Sequence, residues 1–152
     1  MATTAARGAG TSRATEWSPA RVYLVATGIF LIVAAAVGFS LTTSFPQDAE
    51  AVHSAGSAHI FGIFETNGWH NLSTLISGTI SLAFALRPGW ARTGAFAKAA
   101  LYATVTVSIA IWGPEPFLIV SNAADQIVHG SLAVAGFGAA LATPRASINN
   151  MD

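Results

Sequence analysis

Asp125 and His129 stand four residues apart in an apolar segment late in the chain, and His70 and Thr74 repeat that spacing in an earlier one. A separation of four puts two side chains on one helix face, about 6 Å apart along the axis. A carboxylate and an imidazole so placed can exchange a proton, ligate a metal or hold a polar ligand. Ionisable groups are costly inside a bilayer, so in apolar segments each needs a partner or a function. Asn67 and Asn71 flank His70, and Asn122 and Gln126 flank Asp125. Both segments therefore read Asn, a polar residue three positions on, another at four and a further one at seven. If the two helices pack together, Asn67, His70, Asn71, Thr74, Asn122, Asp125, Gln126 and His129 form one polar layer. The matching offsets also suggest a parallel repeat of a two-helix unit.

Two uses of such a layer compete. In the first, the side chains cap helix ends and hydrogen-bond across helices, each bond worth about 0.6 kcal/mol in lipid. Asp125 then sits in a first turn, where the helix dipole favours a carboxylate, and His129 lies about 10 Å below the cap. In the second, the layer lines a small cavity that holds a metal, a quinone headgroup or a proton path. Zinc or copper would accept His53, His59, His70 and His129 together with Glu65 and Asp125, but these are spread over three segments without a His-Glu-x-x-His run. Haem held by His70 and His129 needs both rings at one depth with room for a porphyrin. No cofactor is predicted as the main reading; haem, quinone and metal are secondary expectations. No Gly-x-Ser-x-Gly elbow and no phosphate-binding glycine loop occurs, so no catalytic residue is assigned.

These residues need elements to position them, and composition says which. The 152 residues are 53% apolar and only 9% charged, against about 25% charged in soluble domains. Net charge is zero, which gives no reason to expect nucleic acid. There is no cysteine, which excludes disulfides and thiolate ligands. Four apolar runs are expected to be helical spans, at about 21–43, 67–86, 94–112 and 119–143. The run from Val22 to Leu41 exceeds the roughly 7–15 residues of a signal-peptide core, so it is expected to be retained.

The charges then set an orientation. Arg7, Arg13 and Arg21 precede the first run, Arg87, Arg92 and Lys98 lie between or just inside the second and third, and Arg145 follows the fourth. The other two connections hold Asp48, Glu50, Glu65 and Glu115 and no lysine or arginine. Basic residues stay on the cytoplasmic side, so both termini are expected there. The expected fold is all-α: a four-helix transmembrane bundle in a single membrane domain, 19–144, between tails 1–18 and 145–152, with an outer segment between spans one and two. Within that segment, residues 59–64 are expected to lie in the interface or to form a short helix over the bundle mouth. Lys98 is expected to snorkel to the cytoplasmic interface. Gly28, Gly38, Gly136 and Gly138 are read as helix-packing positions, and Glu115 as a turn residue.

Phe61-Gly62-Ile63-Phe64, then Asn67-Gly68-Trp69-His70-Asn71-Leu72 with Gly78 below, and later Asn122-Ala123-Ala124-Asp125 with His129, resemble the domain of unknown function 4383 family. The resemblance covers roughly residues 20–143. It implies a small four-pass protein of the bacterial cytoplasmic membrane, without an established activity. The chain departs from the family pattern at Ser73 or Thr74, where that pattern has a second histidine. The expected function is a non-enzymatic accessory or interaction subunit in contact with the lipid bilayer, with a homo-oligomer or a membrane complex as partner. The alternative is a redox or transport protein that binds a small ligand or relays protons in the outward-facing polar layer.

Overall fold

The computed structural model describes residues 17–54, 58–113 and 117–145. Among them the chain is mostly helical: α1 (Pro19–Leu41), α2 (Ala49–Ser54), β1 (Ala58–Ile60), β2 (Phe64–Thr66), α3 (Gly68–Ala85), α4 (Ala91–Trp112) and α5 (Ala123–Ala142). The expected tails largely fall outside the described residues, as does Glu115 with its flanking prolines.

Local chemistry accounts for the helix starts. Ser18 caps α1 by accepting the Arg21 N–H, with proline next in the first turn. Asn67 and Asn122 cap α3 and α5 by accepting the N–H three residues on, from His70 and Asp125. At α5 the Asp125 carboxylate returns a bond from the Asn122 N–H at 3.0 Å, completing a capping box. The two asparagines of the sequence repeat thus do the same job. α5 begins at Ala123, later than the expected start at 119, because the lead is not helical and Leu118 has a positive φ of 54°.

Residues 59–64 are not a helix. They form most of an antiparallel hairpin in which His59 faces Glu65 and Ile60 faces Phe64. Phe61 and Gly62 both take positive φ, 55° and 72°, the conformation of the turns that match strand twist. The short helix of this region is α2 instead.

The long helices form two pairs, since α1 packs most extensively on α3 and α4 on α5. Gly28 and Gly78 bring the first pair together: a Cβ on Gly78 would lie 2.9 Å from the Gly28 carbonyl oxygen, and one on Gly28 would lie 2.8 Å from Leu82 Cδ2. Gly38 is covered by the Asn71 amide and Gly136 by Tyr23 and Ala99, whereas Gly138 faces open space and packs on no other helix of the chain. The core is mostly small: Ala20, Ala85, Ala91, Ala95 and Ala140 cluster around Tyr23 and Leu24. Large apolar groups point outward instead, among them Ile29 and Phe30 on α1, Ile76 and Ile80 on α3, Leu101 and Val107 on α4, and Ile127 and Val134 on α5.

The cations among the described residues gather at one end of the bundle. Arg21 Nε donates to the Ala85 carbonyl at the end of α3, and Arg92 Nε donates to the Ala140 carbonyl in the last turn of α5, both at 3.0 Å. Each complements the negative end of a helix dipole. Lys98 does not snorkel outward. It is 6% exposed, donates to Ser81 Oγ on α3 at 2.7 Å and stands over the faces of Tyr23 and Tyr102. Its position about two turns inside α4 points the stem into the bundle, where a hydroxyl and two rings replace water.

Candidate functional site

The starts of α3 and α5 meet at the bundle end opposite the arginines. The cap asparagines lock this junction reciprocally. Asn67, which caps α3, donates its amide N–H to the Leu118 carbonyl just before α5, at 2.8 Å. Asn122, which caps α5, donates to the Ile63 carbonyl just before α3, at 2.7 Å. Asn71 is fully buried and ties two further segments together: it accepts from Thr66 Oγ1 at 2.5 Å and donates to the carbonyl of Thr42, the C-cap of α1, at 3.2 Å. Gln126 donates to Ser121 Oγ at 2.7 Å, while its Oε1 is buried with no hydrogen-bond partner.

Asn67, Asn71, Asn122 and Gln126 are thus occupied by caps and tethers. His70, Thr74, Asp125 and His129 share a further surface: although Asp125 also completes the α5 capping box, together they line a half-open cavity of about 50 Å³, with Phe30 and Leu31 from α1, Ile60, Phe61 and Phe64 from the hairpin, and Tyr102 from α4. His59 does not line it; it is exposed on β1 opposite Glu65. The side chain of His53 lies outside the described residues.

The two histidines differ. His70 Nδ1 lies 2.9 Å from the Glu65 carbonyl oxygen. A carbonyl only accepts, so Nδ1 carries the proton, and in the neutral ring Nε2 is the acceptor. The His129 ring stands 6.2 Å from the His70 ring and 5.3 Å from the Tyr102 ring, centre to centre. Its Nδ1 is buried without a hydrogen-bond partner. Buried polar atoms are seldom left so. A water needs roughly 10–15 Å³ measured this way and two to four polar partners, so the space suits a few waters or one small polar ligand.

Among the described residues no group of three or more histidine and carboxylate side chains converges as a metal site.

Tyr102 and Lys98 were not among the expected site residues, nor were Ser77 and Ser81 on α3. The signal for them was the spacing already used for the others. His70, Thr74, Ser77 and Ser81 fall at intervals of four, three and four, one helix face, and Lys98 and Tyr102 repeat the four-residue step of Asp125 and His129.

A family model described as Domain of unknown function (DUF4383) matches residues 21–142. No curated protein and no solved structure matches the chain.

Proposed function

The chain belongs to the DUF4383 family, and from that premise we propose that it is a four-span protein of the bacterial cytoplasmic membrane, with both termini in the cytoplasm, serving as a non-enzymatic accessory or interaction subunit. The observation that carries the membrane reading is the outward display of large apolar side chains on all four long helices around a core of alanine and glycine. Soluble monomers seldom expose a contiguous apolar patch beyond a few hundred Å². Two helices, Pro19–Leu41 and Ala91–Trp112, are long and apolar enough to cross a membrane, and only 33% and 28% of their apolar windows are buried, less than a soluble core helix would show. Trp17 and Trp90 are exposed toward the arginine end and Trp112 toward the other, where aromatic belts lie. The accessory role is supported by the work the polar residues do, mostly capping and tethering. The partner is a second copy or another membrane subunit.

Topology reporters test this directly. A fluorescent fusion after Pro144 should be bright in the cytoplasm, and an alkaline phosphatase inserted at Gln47 should be active outside. The opposite pattern would remove the four-span reading.

A second reading rests on the buried His129 nitrogen that has no hydrogen-bond partner, in a residue that helps line the cavity: the layer holds a small ligand or relays protons. His129→Leu separates the two. If the imidazole is a structural hydrogen-bonding group, its loss should cost about 1–3 kcal/mol. If it waits for a ligand or a proton, the variant should melt within about 2 °C of the parent or above it, because an unpaired buried polar atom has been removed. Differential scanning in detergent reads the difference.

A further inference from the structure

The polar face of α3 does not stop at the cavity. Ser77 and Ser81 carry it on toward the arginine end, so from His70 it runs eleven residues, about 16 Å along the helix. Beyond Ser77 lies a second cavity, about 120 Å³, between α3 and α4. It is half open between the two helices and mostly apolar, walled by Leu24, Ile80, Phe84 and Leu101, with Ser77, Ser81 and Lys98 as its polar members. Tyr102 lines the first cavity and Ser77 the second. The Tyr102 and Ser77 hydroxyls are hydrogen-bonded to each other at 3.1 Å. One hydroxyl pair therefore forms the partition between two cavities stacked along the bundle.

We propose that this stack is a proton path through the bundle, with the Tyr102–Ser77 hydroxyl pair as its narrowest point. The proposal rests on the membrane reading and on the second reading of the histidine layer, and extends that layer to the opposite end. A proton from the histidine end is received in the first cavity by an imidazole nitrogen or by water beside His70, His129 and Asp125. It passes to the Tyr102 oxygen, whose own proton moves to Ser77 Oγ. The Ser77 proton moves on to water in the second cavity, beside Ser81 and Lys98. Each hydroxyl gains one proton as it gives one up and is restored when the pair reorients. No electrons move, and the gradient alone drives the transfer. Ionisable chains of this kind inside membranes mark proton relays. Lysine suits the inner terminus because, unlike arginine, it can lose its proton when buried.

The test uses the full chain in phosphatidylethanolamine–phosphatidylglycerol vesicles loaded with a pH-sensitive dye, under a potassium diffusion potential set by valinomycin. Protein vesicles should change internal pH faster than empty ones. Tyr102→Phe keeps the ring and removes only the hydroxyl, and Ser77→Ala removes its partner. Each should slow the flux roughly tenfold or more, every 1.36 kcal/mol of added barrier being a factor of ten. Thr79→Val, at an exposed hydroxyl bonded within its own helix, should keep the parent rate. Melting curves and vesicle flotation on every sample confirm folded, inserted protein. Inserted, folded parent protein that is no leakier than empty vesicles overturns the path and leaves the membrane reading standing. Protein that fails to float with vesicles overturns both. Parent-like flux in Tyr102→Phe and Ser77→Ala overturns the partition.

Discussion

Gly78→Ala should lower the melting temperature by roughly 10 °C, and Gly78→Leu should prevent the folded protein from accumulating. At this position α3 touches the backbone of α1. The added Cβ would meet the Gly28 carbonyl oxygen at 2.9 Å, Ile32 Cγ1 at 2.9 Å and the Ile32 nitrogen at 3.1 Å. Two of these atoms are backbone and cannot rotate away, so the helices must part. Overpacking costs about 1–3 kcal/mol, and an unyielding neighbour puts alanine near the top of that range. A domain of this size loses about 2–4 °C per kcal/mol. Gly138→Ala is the control. Nothing lies within 4 Å of its Cβ, so only the gain in helix propensity remains, and the variant should melt at or slightly above the parent. Equal losses at the two positions would show that α1 and α3 do not cross at Gly78.

Asn71→Leu should cost about 3 kcal/mol, although the new side chain nearly matches the old in size. The amide is fully buried and joins Thr66 ahead of α3 to the end of α1. Removing it leaves the Thr66 hydroxyl without its short bond and the Thr42 carbonyl without its donor, and each buried group left unsatisfied costs about 1–3 kcal/mol. The same amide covers Gly38, so a branched apolar group meets backbone there as well. Thermal unfolding in detergent measures the loss. Hydrogen exchange should show it first at the C-terminal end of α1 and at Thr66. A variant as stable as the parent would mean that the tether is cosmetic. These two substitutions act on one pair of helices, so they should not add independently.

The positions of the helices were legible in the residue order because their causes are local. Ser18, Asn67 and Asn122 cap the N–H groups a few residues ahead of them, proline follows the first cap, and apolar runs of helical length lie between turn residues. The repeat of Asn67 with His70 and Asn122 with Asp125 was legible for the same reason, as were the family and the gathering of cations at one end. The short apolar run of Ile60, Phe61, Ile63 and Phe64 was misleading, because such a run fits a strand or a helix equally well. The positive φ values of Phe61 and Gly62 turned it into a hairpin.

What the chain order could not decide is which small face meets which. Alanine and glycine occur on every helix, so the sequence permits many crossings. Only the fitted backbones choose Gly28 against Gly78 and leave Gly138 bare. The fate of Lys98 was likewise undecided, since a long flexible stem reaches water or the interior with equal ease. The pairing with Ser81, between two tyrosine faces, settles it inward. The polar layer divides by the same logic. Its residues are alike in type and spacing, yet tertiary packing assigns the four amides to caps and tethers and gives His70, Thr74, Asp125 and His129 a shared cavity. Local bonds are written in neighbouring residues; contacts between distant segments depend on shape, and shape exists only once the helices have met.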